Sequence, residues 1–269
     1  MPGPPAQCLG LLAGAVFGVA FVLPATAADD PASIRDAPSA TPYRPSVSTP
    51  AALSAPGWLE VEGGVLHEHD AGGERRDSLP LTLKLAFSPD WGLRLGSDGW
   101  VRSTDGSQRS RGYGDSAVVV KRRFAVDEQQ AFGVEAALTV PSGRRGLGTG
   151  SGKADYGVNA IYSADWGAWH GDLNLLTTRL GNVEAGASRL SVLAAFALSH
   201  PLGEDLGVVA ELSGSYRHQA ENSRQLLVAF SYNVSKRLVF DAGGARSLRG
   251  GAPTWSALAG FTWTAARLF

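Results

Sequence analysis

The chain has 269 residues, of which 44% are hydrophobic and 18% are charged, and its formal net charge is −1. A charge so close to zero argues against a nucleic-acid-binding protein, which would show a basic patch or stripe. The single cysteine, Cys8, excludes an internal disulfide and a cysteine-based zinc site. No run reaches the roughly 18 to 20 apolar residues that a membrane-spanning helix needs.

Residues 1–27 have the pattern of a secretory signal peptide. Leu9 to Leu23 is an apolar run, and Ala25 and Ala27 supply the small residues of an A-x-A cleavage site. The segment departs from the usual pattern because Met1 to Gln7 contains no Lys or Arg. We predict export with cleavage after Ala27, which would remove Cys8 from the mature chain.

Residues 28–56 are rich in Pro, Ala, Ser and Thr. Such a segment has few apolar side chains to bury, so it cannot offset the entropy cost of ordering itself. We therefore expect a disordered linker. A passive spacer is favoured over a binding segment, and the folded domain is expected over residues 57–269.

From residue 57 onward the dominant period is two, which is typical of strands with two distinct faces. Ser78 to Phe87 is the clearest case, because every second residue from Leu79 to Phe87 is large and apolar. The same reading predicts about twelve strands. They fall near 58–67, 78–87, 91–102, 112–124, 130–141, 153–163, 168–178, 188–199, 206–217, 224–234, 238–245 and 253–269.

Short turns alternate with longer polar or Gly-rich segments, among them 68–77 and 103–111, between these strands. An even strand count with this alternation is typical of outer-membrane barrels, which have turns in the periplasm and loops outside. A soluble barrel or sandwich also alternates, so the side that meets lipid needs separate evidence.

Three observations favour lipid on the outside. The apolar faces carry charge only near strand ends, at Arg122 and Arg267, where an outward charge costs ~0–1 kcal/mol instead of ~2–4 at the midplane. Trp and Tyr residues gather near strand ends, as at membrane interfaces. The chain also ends at Phe269 in a final strand, like the signal read by the outer-membrane assembly machinery. The expected fold is an all-β transmembrane antiparallel up-and-down barrel in the cell outer membrane.

The opposite strand faces would line the lumen, in a barrel with a backbone radius of roughly 12 Å. Both charge signs are present there, so strong ion selectivity is not implied. Two interpretations stay open: a network of paired polar groups that fills the barrel, or a solute path with functional charges. The candidate lining residues are Lys84, Arg94, Asp115, Lys121, Arg123, Glu135, Asp155, Asn159, Asp172, Glu211, Arg217 and Asp241.

Motifs for catalysis and cofactor binding find little support. The stretch Gly146 to Lys153 fails as a phosphate-binding loop, because Leu147 occupies the place of the first required Gly. No G-x-S-x-G elbow occurs. His67 and His69 have only a weak metal-ligand spacing. His170 lacks a serine in its own strand and lies at the wrong end for the His–Ser pair of outer-membrane phospholipases. We expect no enzymatic activity, no cofactor and no metal.

Three short motifs resemble one protein family. Gly112 to Asp115 followed by Lys121 to Phe124 matches a G-x-G-D segment that opens a strand ending in Lys-x-x-Phe, and Asp241 to Gly244 and Gly260 to Thr262 agree with the two closing strands. Over residues 58–269 the chain resembles the outer-membrane β-barrel transporter family labelled for the meta-pathway (MetA) of phenol degradation. The resemblance implies passage of small organic compounds, aromatic ones among them, across the outer membrane.

The leading hypothesis is an outer-membrane channel for diffusion of small organic solutes. The alternative is a closed structural or adhesive barrel whose extracellular loops bind a partner. In either case the expected partners are outer-membrane lipid and, through Phe269, the assembly machinery, and no nucleic acid is expected.

Overall fold

The computed structural model describes residues 37–250 and 253–269. The predicted signal peptide and residues 28–36 of the predicted linker lie outside the described residues. Within the described ranges, no helix is both long enough and apolar enough to cross a membrane.

Fifteen β-segments and one 3₁₀ turn make up the ordered chain. The segments are β1 (Trp58–His69), β2 (Arg75–Ser78), β3 (Leu81–Ala86), β4 (Trp91–Ser97), β5 (Trp100–Asp105), β6 (Gln108–Tyr113), β7 (Ser116–Ala125), β8 (Gln130–Val140), β9 (Asp155–Trp166), β10 (Trp169–Arg179), β11 (Leu190–Pro201), β12 (Leu206–Arg217), β13 (Ser223–Ser235), β14 (Leu238–Arg249) and β15 (Trp255–Arg267). The 3₁₀ turn covers Arg145–Leu147.

The fifteen segments form twelve barrel strands, because β2–β3, β4–β5 and β6–β7 are each one strand with a short interruption. Pro80 lacks the N–H that the β2–β3 ladder would need. Gly99 has φ +60° between β4 and β5, where a Cβ would lie 2.0 Å from the carbonyl oxygen of Leu79. All neighbouring strands are antiparallel, and β15 pairs with β1 to close the barrel. The predicted fold class is therefore confirmed.

The two faces of the strands lie as the alternation predicts. On β10, Leu173 and Leu175 are 50% and 51% exposed, whereas Asp172 and Asn174 are 9% and 2% exposed. The outward side chains are apolar along the strand middles. A hydrophobic outer surface with polar groups inside is the arrangement that a bilayer requires.

The barrel has a turn end and a loop end. The connections after β3, β7, β9, β11 and β13 are short and lie at the turn end, together with the start of β1 and the end of β15. The longer connections lie at the opposite, loop end. By the rule for outer-membrane barrels, the turn end faces the periplasm and the loop end faces outward.

The segment 103–111 is a correction to the predicted loops. It continues β5 and β6 as a paired hairpin in which Arg102 faces Arg111 and Thr104 faces Arg109. Polarity suggested a loop, but beyond the membrane the outer face becomes polar while the backbone pairing continues. Half of residues 68–77 are likewise paired, at the end of β1 and in β2, and only 70–74 form the turn between them.

The predicted linker departs most from expectation. Residues 37–56, called the arm below, have no regular secondary structure. Yet they lie inside the barrel, where Ser48 and Ala51 are 1% and 0% exposed. The prediction of disorder is wrong for this part of the segment, because its backbone groups are satisfied by lumen side chains that exist as a set only in the closed barrel.

Candidate functional site

The arm enters and leaves the lumen at the turn end. Near its start, the Ala40 N–H donates to the carbonyl of Lys236 in the β13–β14 turn (2.7 Å). Just past its end, the Gly57 N–H donates to the carbonyl of Ala86 at the turn end of β3 (2.8 Å). Between these points the arm reaches Glu211, near the middle of β12. It therefore fills the periplasmic part of the lumen as a loop.

Glu211 holds the inner end of the arm. Its carboxylate accepts hydrogen bonds from the Ser48 N–H (2.7 Å), the Ser48 hydroxyl (2.6 Å) and the Val47 N–H (3.2 Å). On β10, two strands away from β12, Asn174 accepts from the Thr49 N–H (3.1 Å) and donates to the Thr49 carbonyl (2.9 Å). The carboxylate and the amide thus replace the water that the arm backbone gives up on burial.

Tyr43 is enclosed by cationic side chains. Lys84 Nζ and Lys121 Nζ lie 4.1 and 4.3 Å from the centre of its ring, and the Arg94 guanidinium lies 5.6 Å away. Ammonium and guanidinium groups at such distances are attracted to an aromatic face. The Tyr43 hydroxyl donates to the carbonyl of Ala52 (2.6 Å), which ties the two limbs of the arm together.

Acidic residues of β1 complete this contact. Glu62 accepts from the Tyr43 N–H (2.7 Å) and pairs with Lys84 Nζ at 2.7 Å. Glu60 accepts from the Thr41 N–H (3.2 Å) and pairs with Lys84 at 3.0 Å. Glu60, Glu62 and Lys84 therefore each have both a partner of opposite sign and hydrogen bonds, which offset the cost of burying their charges.

Arg44 crosses the lumen to β14. Its guanidinium donates to both oxygens of Asp241, at 3.0 and 3.1 Å. It passes beside the paired residues Gly64 and Gly260, where a Cβ would lie 2.9 and 2.6 Å from guanidinium nitrogens. Glycine at these two positions leaves the room that the side chain occupies.

The structure brings a second group of predicted residues together on β4 and β7–β9. Glu135 lies 3.4 Å from Lys121 Nζ and 3.5 Å from the Arg94 guanidinium, and it accepts from Asn159 (3.1 Å). Lys121 also donates to the carbonyl of Pro50 in the arm. These side chains form a paired network against the arm and do not stand free in the lumen.

Other predicted residues lie away from the arm, towards the loop end. Asp115 accepts from the N–H groups of Gly143 (3.0 Å) and Ser151 (2.7 Å), so it holds the β8–β9 loop in place. Asp155 accepts from the Gly181 N–H (2.7 Å) and does the same for the next loop.

Arg217 and Arg123 mark the two ends of the lumen wall. Arg217 donates to Glu184 in the β10–β11 loop (3.1 Å). The pKa of the exposed Glu184 carboxyl is lowered, mainly by a hydrogen bond from the Glu184 backbone N–H and secondly by the positive charge of Arg217. Arg123 is half-buried at the turn end, where its N–H donates to the Asp90 carbonyl (2.8 Å).

A cavity of about 490 Å³ lies at the turn end beside the arm. The arm forms one side, and the inner faces and turns of β10–β14 form the other. Its polar lining includes His170, Asp172 and Glu204. The arm therefore occupies one side of the periplasmic lumen and leaves space for small molecules on the other.

His170 belongs to a polar cluster that faces this cavity. It lies 2.7 Å from Asp165 and 3.1 Å from Asp172. Ser163 is nearby, but its hydroxyl donates to Asp172 (2.5 Å) and not to the imidazole. The order Ser–Asp–His differs from a hydrolytic triad, in which the imidazole contacts the nucleophile. Across the described ranges, no group of three His, Cys, Asp or Glu side chains is arranged to hold a metal ion.

Sequence reasoning missed the arm as part of the site. Its contact residues Tyr43, Arg44, Ser48 and Thr49 lie in a segment with few apolar side chains, for which composition alone predicts disorder. One signal was present in the sequence. Tyr43 and Arg44 are an adjacent aromatic and cationic pair in a segment otherwise composed mostly of small and Pro residues.

The comparisons with known proteins agree with this architecture. A family model described as "Putative MetA-pathway of phenol degradation" matches residues 78–265. The comparison with curated proteins found no match.

Three similar solved structures are outer-membrane channels or porins. The COG4313 outer membrane channel from Pseudomonas putida F1 superposes with a TM-score of 0.63 at 14% identity, covering 79% of this chain and 97% of that one. The NanC porin gives 0.55 at 10% identity, covering 77% and 100%. The KdgM porin gives 0.54 at 14% identity, covering 76% and 99%. At these identities the likeness concerns the fold.

Proposed function

The chain belongs to the family described as "Putative MetA-pathway of phenol degradation", and from this premise we propose that it is an outer-membrane channel for small organic solutes, narrowed on its periplasmic side by its own arm. The observation that carries the proposal is the arm itself. It is held in the lumen by hydrogen bonds and ion pairs, as at Glu211 and Asp241. Contacts of this kind can break and re-form, so the arm can leave the path.

The geometry supports a passive route with two sections. At the loop end the lumen lies beyond the reach of the arm. At the turn end the cavity of about 490 Å³ runs beside the arm, and this volume is within the range of small-molecule sites. Arg44, Asp172 and Glu204 line this cavity, and because they carry both signs of charge we infer weak ion selectivity. The family description and this cavity size together favour small aromatic compounds as solutes.

We infer that the barrel does not act as an enzyme. The similar solved structures are named as channels and porins, and Ser163 donates to an aspartate instead of a histidine. Export through the leader and recognition of Phe269 by the assembly machinery remain part of the proposal. The Leu268 N–H donates to the carbonyl of Gly57 (2.7 Å), which places the C-terminus beside the start of β1 at the turn end.

One observation favours the alternative of a closed structural or adhesive barrel. The arm buries Glu60 and Glu211 to 0% and 1% exposure, so part of the lumen is filled in this state. In that case the outer loops, and not the lumen, would carry the function.

Liposome swelling by the refolded barrel distinguishes the two functions. We expect swelling with small sugars, amino acids and aromatic acids that falls with solute size, and faster swelling for a variant with Glu211→Ala and Asn174→Ala. The control is Arg217→Gln, which removes a positive charge at the loop end, where Arg217 contacts Glu184 and not the arm. If the wild type and the double variant are both folded and neither allows swelling, the channel proposal is wrong and the closed barrel is favoured.

A further inference from the structure

An outward-facing group of arginines lies on the hairpin extension at the loop end. Arg102 and Arg111 are direct cross-strand partners on β5 and β6. Arg109 pairs with Thr104, and Thr104 pairs on its other side with Arg75. Alternation along each strand puts all four arginines on the same outer face. This group of Arg75, Arg102, Arg109 and Arg111 is called the basic face.

The basic face has little negative charge to balance it. Asp77 shares this face and is the direct cross-strand partner of Arg102. Its carboxylate lies 2.6 Å from His67 Nδ1, so it balances at most one of the four positive charges. Asp105, at the hairpin tip, alternates to the opposite face. Among the described residues, no ion pair involves any arginine of the basic face. Like charges directly opposite each other destabilise a sheet, so this arrangement favours an anion supplied from outside the chain.

An apolar groove of about 580 Å³ adjoins the basic face on the same outer surface. Its floor and walls include Val65, Leu79, Trp100, Ala257 and Ala259. The small side chains of the two alanines leave a depression between larger neighbours.

The polar end of the groove is formed by Arg102, His67 and Asp77. Trp100 packs edge-on against Tyr113, with ring centres 5.4 Å apart, next to the Arg102–Arg111 pair. Trp and Tyr residues in this position mark the membrane interface. The groove therefore lies at acyl-chain depth and the arginines lie at headgroup depth.

We propose that the basic face and this groove together bind a phosphorylated glycolipid of the outer leaflet. A headgroup phosphate accepts hydrogen bonds from the guanidinium groups of Arg102 and Arg111, and an acyl chain lies in the groove. Guanidinium groups match phosphate geometry with two parallel hydrogen bonds. The phosphate also relieves the repulsion between the two opposed arginines.

The test measures lipid binding by the full barrel in a neutral detergent, by native mass spectrometry. Three probes are compared: diphosphorylated lipid A, the same lipid without phosphates, and inorganic phosphate. We expect lipid A to bind with a one-to-one stoichiometry. The variant Arg102→Gln/Arg111→Gln should bind lipid A with a Kd at least about tenfold higher, because loss of even one charge-assisted hydrogen bond raises the Kd by about that factor. The control Arg144→Gln/Arg145→Gln changes two exposed arginines of the β8–β9 loop and should keep full affinity.

A second variant tests the groove independently. Ala257→Trp fills the depression and should weaken lipid A binding while the arginines stay in place. Equal binding of the dephosphorylated lipid, or full affinity in the double arginine variant, would overturn the proposal. Tight binding of inorganic phosphate with unchanged lipid binding in Ala257→Trp would show a simple anion site and would also overturn it. Since these outcomes concern the outer surface, they are separate from the result of the swelling assay.

Discussion

Removing the Glu211 carboxylate should release the arm. With the arm in the lumen this carboxylate accepts two short hydrogen bonds from Ser48 and a longer one from Val47. A hydrogen bond to a charged group is worth about 1.5 kcal/mol or more. Loss of the two short bonds therefore weakens arm binding by about 3 kcal/mol, which corresponds to roughly a hundredfold change in the ratio of arm-bound, narrowed channels to arm-free channels.

Single-channel recording in planar bilayers measures that ratio directly. We expect Glu211→Ala to lower the ratio of the narrowed, low-conductance state to the arm-free, high-conductance state by about two orders of magnitude. Glu211→Gln, which keeps one acceptor oxygen, should lower this ratio by less. The barrel wall should remain intact, because the hydrogen bonds of this side chain go to the arm, and heat-modifiable gel mobility checks this. A folded Glu211→Ala protein with an unchanged ratio would refute the idea that the arm narrows the path.

Three further predictions concern the wall and the arm. Leu175→Lys puts a charge on the lipid face and should lower the free energy of unfolding by ~2–4 kcal/mol, measured by urea titration in lipid vesicles. Leu176→Lys faces the lumen and should lower it much less. Equal losses would contradict the assigned faces. Gly243→Val should lower the temperature at which the folded band on a gel shifts to the unfolded position, because a Cβ there would lie 2.2 Å from the Cβ of Ala229. An unchanged temperature would contradict this packing. Tyr43→Phe should raise the occupancy of the arm-free, high-conductance state at least about fivefold in the same recordings, since it removes the hydrogen bond to the Ala52 carbonyl, worth ~1 kcal/mol, and a longer one from Lys121 Nζ (3.3 Å). Unchanged or lower occupancy would contradict the role of these bonds.

The barrel strands could be predicted because the alternation of apolar and polar residues that specifies them lies within each strand. Strict alternation puts Glu135 inside and Val134 outside in β8, and a shift of one residue would reverse every side chain of that strand. The outward apolar positions thus specify both the strands and their register. The paired extension at 103–111 cannot be recognised from polarity, because its outward side chains meet water as those of a loop do while its backbone pairing continues.

The position of the arm was not predictable from the same reasoning. Its Pro-rich composition gives it too little apolar surface to order itself, and that statement is correct for the isolated segment. The acceptors that order it, such as Glu211 and Asp241, come from strands 163 and 197 residues away from their arm partners. They form a set only after the barrel closes. The same contacts explain why several lumen charges are paired with the arm and do not line an open path.

The most direct test of the account is whether position 51 is accessible in the working channel. Cys8 is the only cysteine of the whole sequence, and cleavage of the leader would remove it, so Ala51→Cys would supply a unique thiol in the mature chain. Ala51 is 0% exposed, and cysteine is a small apolar replacement. In reconstituted vesicles a membrane-impermeant maleimide should label this thiol slowly. The labelling rate should rise about a hundredfold when Glu211→Ala is added. Rapid labelling of Ala51→Cys alone, in protein that retains its folded gel mobility, would show that the arm does not lie in the lumen and would contradict the account.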